Sequence, residues 1–354
     1  MSPKVNGESY CAAMVNRNKR SLAIDLKDPR GMAVFMALAK TADVVIDNMR
    51  PDAKFKLGID HESLKPANPR LIYASISGFG QTGPYAKKGG YDMIAQGVSG
   101  IMRMTGGEDG RPAKVGIAIH DIAGGVSALY AIIAALFHRE RHGEGQDLEP
   151  SLVDAGIAWM AWETAAFFGA GEVAQPTGTR HRRSAPYQAY RTRDGYMTVG
   201  ANTERMWVAF CREVLGAPGM LTDPRFASLD LRLANVEALQ DAIESVTCLQ
   251  PTTHWVPLLD AHGIPGGPVY TFDKMTRHPH IAAREMCIDV EHPKIGPMKM
   301  LGFPVKFSAL DLEVRRPGPW LGQHSAEVLA EAGLDPAEVE AMFVAGVVYD
   351  KYRG

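Results

Sequence analysis

A chain of 354 residues, 46% of them hydrophobic and 22% charged, has the apolar content for a large core and two domains. Its 38 Lys plus Arg against 40 Asp plus Glu leave a formal net charge of −2, so no global field recruits nucleic acid or a membrane, and any anionic ligand must be held by local basic groups. Cys11, Cys211, Cys248 and Cys287 lie far apart and form no CxxC pair, which argues against a disulfide framework or a zinc site and for reduced thiols in a cytoplasm.

The first residues, Met-Ser-Pro-Lys-Val-Asn-Gly, lack the apolar stretch of a signal peptide, and no uninterrupted apolar run reaches the ~18 residues of a membrane span. Residues 21–26 read as a strand, 31–42 as a helix whose start is marked by Asp28-Pro29, and 42–47 as a second, buried strand. A helical stretch at 63–65 leads to a third strand, 70–77, which ends in Gly78-Phe-Gly-Gln-Thr-Gly-Pro84. This alternation predicts an α/β fold with a mostly parallel sheet, helices on both faces, and a ligand site beyond the carboxyl ends of the strands. Residues 91–104 are helical in pattern, 106–110 make a turn, and 146–152 return as a strand in which Glu149-Pro150 marks an edge or a bulge.

Residues 175–186 form a basic connector, where a domain boundary is expected. Residues 187–307 mix a strand at 195–200 with helices at 204–215, 236–248 and 254–262, a turn at 263–269 and strand-like segments up to 303–307, the pattern of a smaller α+β domain. Two amphipathic helices follow between 321 and 347.

Residues 115–125, Val-Gly-Ile-Ala-Ile-His-Asp-Ile-Ala-Gly-Gly, read as a short strand that delivers Asp121 to a glycine-flanked turn before a long apolar helix at 122–137. A carboxylate there faces the positive end of a helix, and an N-cap role is the plain alternative to chemistry. Asn16-Arg-Asn-Lys-Arg20 with Lys27, and Asn48-Met-Arg-Pro51 with Lys54 and Lys56, put cations at strand ends, the composition that a ligand with several phosphates needs. No GxGxxG or GxxxxGK[ST] motif accompanies them, which disfavours nicotinamide and nucleoside triphosphates. His120, adjacent to Asp121, points elsewhere and reads as structural. His278-Pro-His280 lacks a third metal ligand nearby and reads as a surface loop, and Asp154 reads as an N-cap.

The ordered set Asn16-Arg-Asn-Lys-Arg-Ser-Leu22, Asp43-Val-Val-Ile-Asp-Asn48, Asn68-Pro-Arg-Leu-Ile-Tyr73, Gly78–Pro84, Gly90-Tyr-Asp92, Gly145-Gln146, Gly263-Ile-Pro-Gly-Gly-Pro268 and Leu321-Gly-Gln-His324 resembles the class III CoA-transferases of the CaiB/BaiF type, which include formyl-CoA transferases. The resemblance implies that Asp121 attacks an acyl-CoA thioester, passing through an aspartyl-acyl anhydride and an aspartyl-CoA thioester before CoA leaves on a carboxylic acid, with no metal or redox cofactor. It implies CoA contacts at Ile24, Asp25, Leu26 and Lys27, at Asn48, Met49 and Arg50, at Lys56, and at Gly89, Gly90, Tyr91 and Asp92. Lys56 stands where some members carry arginine, keeping the charge and losing the bidentate fork.

The resemblance further implies a Rossmann-like large domain of residues 1–186, completed by a C-terminal segment 308–354 around the small domain 187–307, in an interlocked, ring-type homodimer. Members normally begin with a further βα unit, so a non-catalytic CoA-binding or partner-dependent short form is one alternative. An α-methylacyl-CoA racemase is the other. Racemases carry a histidine base where this chain has Tyr91, and a phenol with a pKa near ~10 is a poor base for an α-proton, leaving His120 as the only substitute nearby.

Overall fold

Val44–Asp47 and Ile72–Ser75 pair in parallel, Val44 opposite Ile72 and Asp47 opposite Ser75, in a computed structural model that describes residues 3–107 and 109–353. Asp147–Leu148 lies on the other side of Ile72–Ser75, also parallel, with Tyr73 opposite Asp147. The central strand is buried throughout, the continuous run that a parallel sheet covered on both faces requires. Pro150 falls just beyond the edge strand, where its missing N–H breaks no ladder.

This sheet belongs to a first compact unit made of Met1–Ala95, Ala118–Trp159 and Thr276–Gly354. Asp28 caps the helix Pro29–Thr41 by accepting from Arg30 N, with Pro29 at the first helical position where its lacking donor costs nothing. Phe35, Met36 and Ala39 of that helix pack with Leu64, Leu71 and Tyr73. A helix absent from the sequence expectation, Pro51–Leu57, follows the second strand and closes on Gly58 at φ 66°.

The helix Ile119–His142 is the longest among the described residues. Ala123, Gly124, Ala128, Ile132, Ala135 and Arg139 form its buried side, and the Arg139 guanidinium stands 2.8 Å from the Asp43 carboxylate. Ile122, Val126, Leu129, Tyr130, Ile133 and Phe137 are exposed on another side. Among the described residues it is the one helix long and apolar enough to cross a membrane by length and composition.

Residues 21–26 do not form a strand of the parallel sheet. Only Ala23–Ile24 is extended, pairing antiparallel with Val348–Tyr349, because an apolar cluster of Val34, Leu329, Val339, Met342 and Val348 draws the chain's two ends together. The hairpin Cys287–His292 and Gly296–Leu301, expected in the small domain, lies in this first unit, where Ile295, Met298 and Met300 pack with Ala13 of the helix Tyr10–Val15.

The second unit comprises Gln96–Ile117 and Met160–Met275. An antiparallel sheet of Tyr187–Thr192, Gly195–Gly200 and Gly266–Pro268 packs with helices that include Val236–Thr247 and Thr252–Ala261 around Tyr190, Met197, Trp207, Phe210, Leu239, Ile243 and Leu259. Its limits differ from the boundaries expected at 186/187 and 307/308. The basic connector is pinned within this unit: Gly178 N donates to the Gly106 carbonyl, Arg182 to the carbonyls of Gln175 and Met104, and Arg183 pairs with Glu172.

Candidate active site

Asp121 is neither at the end of a strand nor an N-cap. Residues 111–118 are irregular, Val115 N–H donates to Gln96 Oε1 instead of a neighbouring strand, and the helix begins at Ile119 with Ala118 as a cap that offers no side-chain bond. Asp121 is therefore the third helical residue. The capping bond comes from elsewhere in the first unit: Asp92 Oδ1 accepts the His120 backbone N–H at 2.9 Å. Asp154 is likewise no cap, because Ser151 Oγ accepts from Asp154 N and caps the helix Leu152–Ala158.

Two opposing influences act on the Asp121 carboxylate. The helix N-terminus favours its charge. Partial removal of water around it, and next the like charge of Asp92, push its pKa above the usual carboxylate value, against a smaller opposing effect from His120. His120 is fully buried, and burial lowers its pKa, which keeps the imidazole neutral at pH 7. A nucleophilic Asp121 would have to be ionised, so any activity that depends on it is expected to fall as pH drops through the raised pKa. Asp92→Asn retains an oxygen for the His120 N–H and deletes the like charge. The acid limb of its pH–rate profile is expected to move to lower pH than in the wild type, as measured by kcat/KM between pH 4 and 8.

Asp121 opens onto a cleft of about 520 Å³ within the first unit. The turn after Val44–Asp47 contributes Asn48, Met49 and Arg50, the segment after Ile72–Ser75 contributes Ser77 and Gly78, and residues 88–91 contribute Lys88, Gly89, Gly90 and Tyr91. The site thus lies past the carboxyl ends of the two long parallel strands, where α/β sheets bind ligands. Asp47 holds the first of these turns: its Oδ1 accepts from Met49 N at 2.9 Å and its Oδ2 from Ser75 Oγ at 2.8 Å, with the buried Lys54 ammonium 3.8 Å away. Lys54 is therefore occupied inside the protein and is unavailable to a ligand.

The cleft wall depends on bare backbone. A Cβ on Gly78 would stand 2.6 Å from the Gly90 Cα, and one on Gly90 would stand 2.6 Å from the Gly78 Cα. Any side chain at Gly78 or Gly90 forces these segments apart.

Of the residues anticipated from sequence, Asp121, Asn48, Met49, Arg50, Gly89, Gly90 and Tyr91 come together here. Ile24, Asp25, Leu26 and Lys27 do not line the cleft; Ile24 pairs with Val348, and Asp25 N–H bonds the Val347 carbonyl. Lys56 is exposed on the helix Pro51–Leu57, and Asp92 serves as the cap of the neighbouring helix. Lys88, with its ammonium 3.5 Å from the Tyr85 ring centre, lines the cleft without having been anticipated. The Lys87-Lys88 pair just before Gly89-Gly90 was its only sequence signal. His278 Nδ1 accepts from His280 N at 3.2 Å and caps a short helix.

The profile of CoA-transferase family III matches residues 1–325. The chain is 37% identical to a succinate–glutarate CoA-transferase of Agrobacterium fabrum, over 92% of this chain and 82% of that one. It is 38% identical to an acetyl-CoA:oxalate CoA-transferase of Acetobacter aceti, over 93% and 84%. The crystal structure of a CAIB/BAIF family protein from Brucella suis superposes with a TM-score of 0.84 at 34% identity, covering 93% of this chain and 86% of the other.

Proposed function

The chain belongs to CoA-transferase family III, and from that premise we propose that Asp121 is the nucleophile through which it moves coenzyme A from an acyl-CoA thioester to a carboxylic acid. The observation that carries this reading is the Asp121 carboxylate itself. It opens onto the cleft beside Arg50 and Lys88, released from capping its own helix by Asp92.

In the proposed sequence an Asp121 oxygen attacks the thioester carbonyl, the C–S bond breaks, and an aspartyl-acyl anhydride and CoA thiolate result. The thiolate attacks the aspartyl carbonyl, releasing the donor carboxylate and leaving an aspartyl-CoA thioester. An acceptor carboxylate then displaces the thiolate to form a second anhydride. Attack of the thiolate on the acceptor's carbonyl yields the new acyl-CoA and restores Asp121. A carboxylate is a weak nucleophile in water; partial desolvation and fixed placement against the thioester make the attack effectively intramolecular. No step calls for a metal or redox cofactor.

Asn48, Met49, Arg50 and the segment Gly89, Gly90, Tyr91 and Asp92, joined by Lys88, would hold the CoA arm from the thioester to its pyrophosphate. Ile24, Asp25, Leu26, Lys27 and Lys56 would meet its remote nucleotide end. A homodimer fits the apolar stripe of Ile122, Val126, Leu129 and Ile133 on the Asp121 helix. We assign the reaction to the cytoplasm, where Cys11, Cys211, Cys248 and Cys287, none of them in a disulfide, stay reduced. A racemase has less support. Tyr91 offers a phenol, and the His120 ring, the alternative base, is fully buried.

The relatives named for glutarate and oxalate make a dicarboxylate the acceptor class to test first. Purified protein given succinyl-CoA or acetyl-CoA with glutarate, oxalate and monocarboxylate controls is expected to form a new CoA thioester, detected by mass spectrometry, with at least one dicarboxylate. A folded protein that forms none across such a panel would support the non-catalytic alternative.

A further inference from the structure

Two neighbouring contacts join the Asp121 helix to the helix Leu152–Ala158. A Cβ added to Gly156 would lie 2.1 Å from His120 Nε2 and 2.3 Å from Cδ2, so the imidazole occupies the notch that the glycine leaves. A Cβ on Gly124 would lie 2.6 Å from Leu152 Cδ2, so the leucine occupies the reciprocal notch. Residues 120 and 124 meet 156 and 152 respectively, which makes this an antiparallel interlock with one large side chain seated from each helix. His120 and Gly124, four residues apart, share one side of the first helix, whereas Asp121 and Gly125, also four apart, line the cleft. Leu152 takes part in both, since it seats on Gly124 and lines the cleft. His120 is fully buried, so its ring can yield only by moving the turn that carries it.

We propose that this interlock is the positioning device of the nucleophile: His120 seated at Gly156 and Leu152 seated at Gly124 set the depth and rotation at which the first helical turn presents Asp121 to the cleft. His120 and Gly156 are thus positioning residues acting through Asp121, and the inference rests on the reading of Asp121 as nucleophile. An added methyl at Gly156 displaces the imidazole and with it the turn. A misplacement of about 1 Å at a reacting group costs about 100-fold in rate. Arg50 and Lys88, the residues proposed to hold CoA, lie on segments other than the two helices of the interlock.

The test uses steady-state exchange of succinyl-CoA with glutarate, or whichever pair the wild type exchanges, for Gly156→Ala, His120→Ala, the double variant and Asp121→Asn. Gly156→Ala is expected to lose about 10- to 100-fold in kcat with KM for acyl-CoA within about threefold, and the double variant to regain about tenfold, because the emptied notch accepts the methyl. Where Gly156→Ala does not fold, the comparison of the double variant with His120→Ala decides: the added methyl is then expected to cost less than about threefold. A Gly156→Ala kcat within about threefold of wild type, or a double variant no better than Gly156→Ala, overturns the inference. Turnover by Asp121→Asn at the wild-type rate removes the nucleophile reading itself. An inactive Asp121→Asn beside a fully active Gly156→Ala removes only the interlock.

Discussion

Asp121→Asn is expected to abolish CoA exchange, by at least about 10⁴-fold in kcat, while the protein remains folded. An amide oxygen is too weak a nucleophile to open a thioester, and removal of a covalent nucleophile leaves only the residual effects of binding and orientation. Stability moves the other way. The folded protein raises the Asp121 pKa, so it binds a proton there more tightly than the unfolded chain does, and the ionised carboxylate opposes folding at pH 7. That opposition fades as pH falls through the raised pKa, and asparagine removes it at every pH. The thermal midpoint of Asp121→Asn at pH 7 is therefore expected to equal or exceed that of the wild type, as read by differential scanning fluorimetry. A loss of activity together with a lowered midpoint would point to misfolding instead of lost chemistry.

Arg50→Gln combined with Lys88→Gln is expected to weaken acyl-CoA use by roughly 10²- to 10⁴-fold in kcat/KM, almost all of it in KM. On the proposed reading each cation donates a charge-assisted hydrogen bond to a phosphate, worth about 1.5–3 kcal/mol, and about 1.4 kcal/mol corresponds to a decade. Both groups line the cleft from separate segments, Arg50 from the turn held by Asp47 and Lys88 from the chain beside Tyr85. Interactions made equally in ground state and transition state appear in KM and leave kcat near its original value. The salt dependence of KM should flatten in the double variant, since the screened charges are gone.

The core of the sheet was legible because burial on both faces leaves a plain signal. Val44–Asp47 and Ile72–Ser75 stand out as short apolar runs, and Asp28-Pro29 announces the helix Pro29–Thr41. Residues 115–119 misled for the opposite reason. A short apolar run suits a strand or a helix start equally, and what decides is the bond that His120 N–H donates to Asp92 across 28 residues, which no local pattern contains. The same non-locality hid the pairing of Ala23–Ile24 with Val348–Tyr349 and the seating of His120 at Gly156. Gly78 and Gly90 were visible as glycines, but only the folded chain shows that each is required by the other. Lys88 has no strand-end position to mark it, being a cation in the loop that precedes Gly89 and Gly90.

A covalent bond to Asp121 is tested most directly by mass spectrometry of protein mixed with acyl-CoA donor without acceptor, quenched in acid and digested. The peptide containing Asp121 is expected to gain either the acyl group or the mass of CoA less one water, and the Asp121→Asn peptide to gain neither. Exchange that proceeds at full rate with no adduct on the Asp121 peptide, or with the adduct on another residue, would contradict that bond.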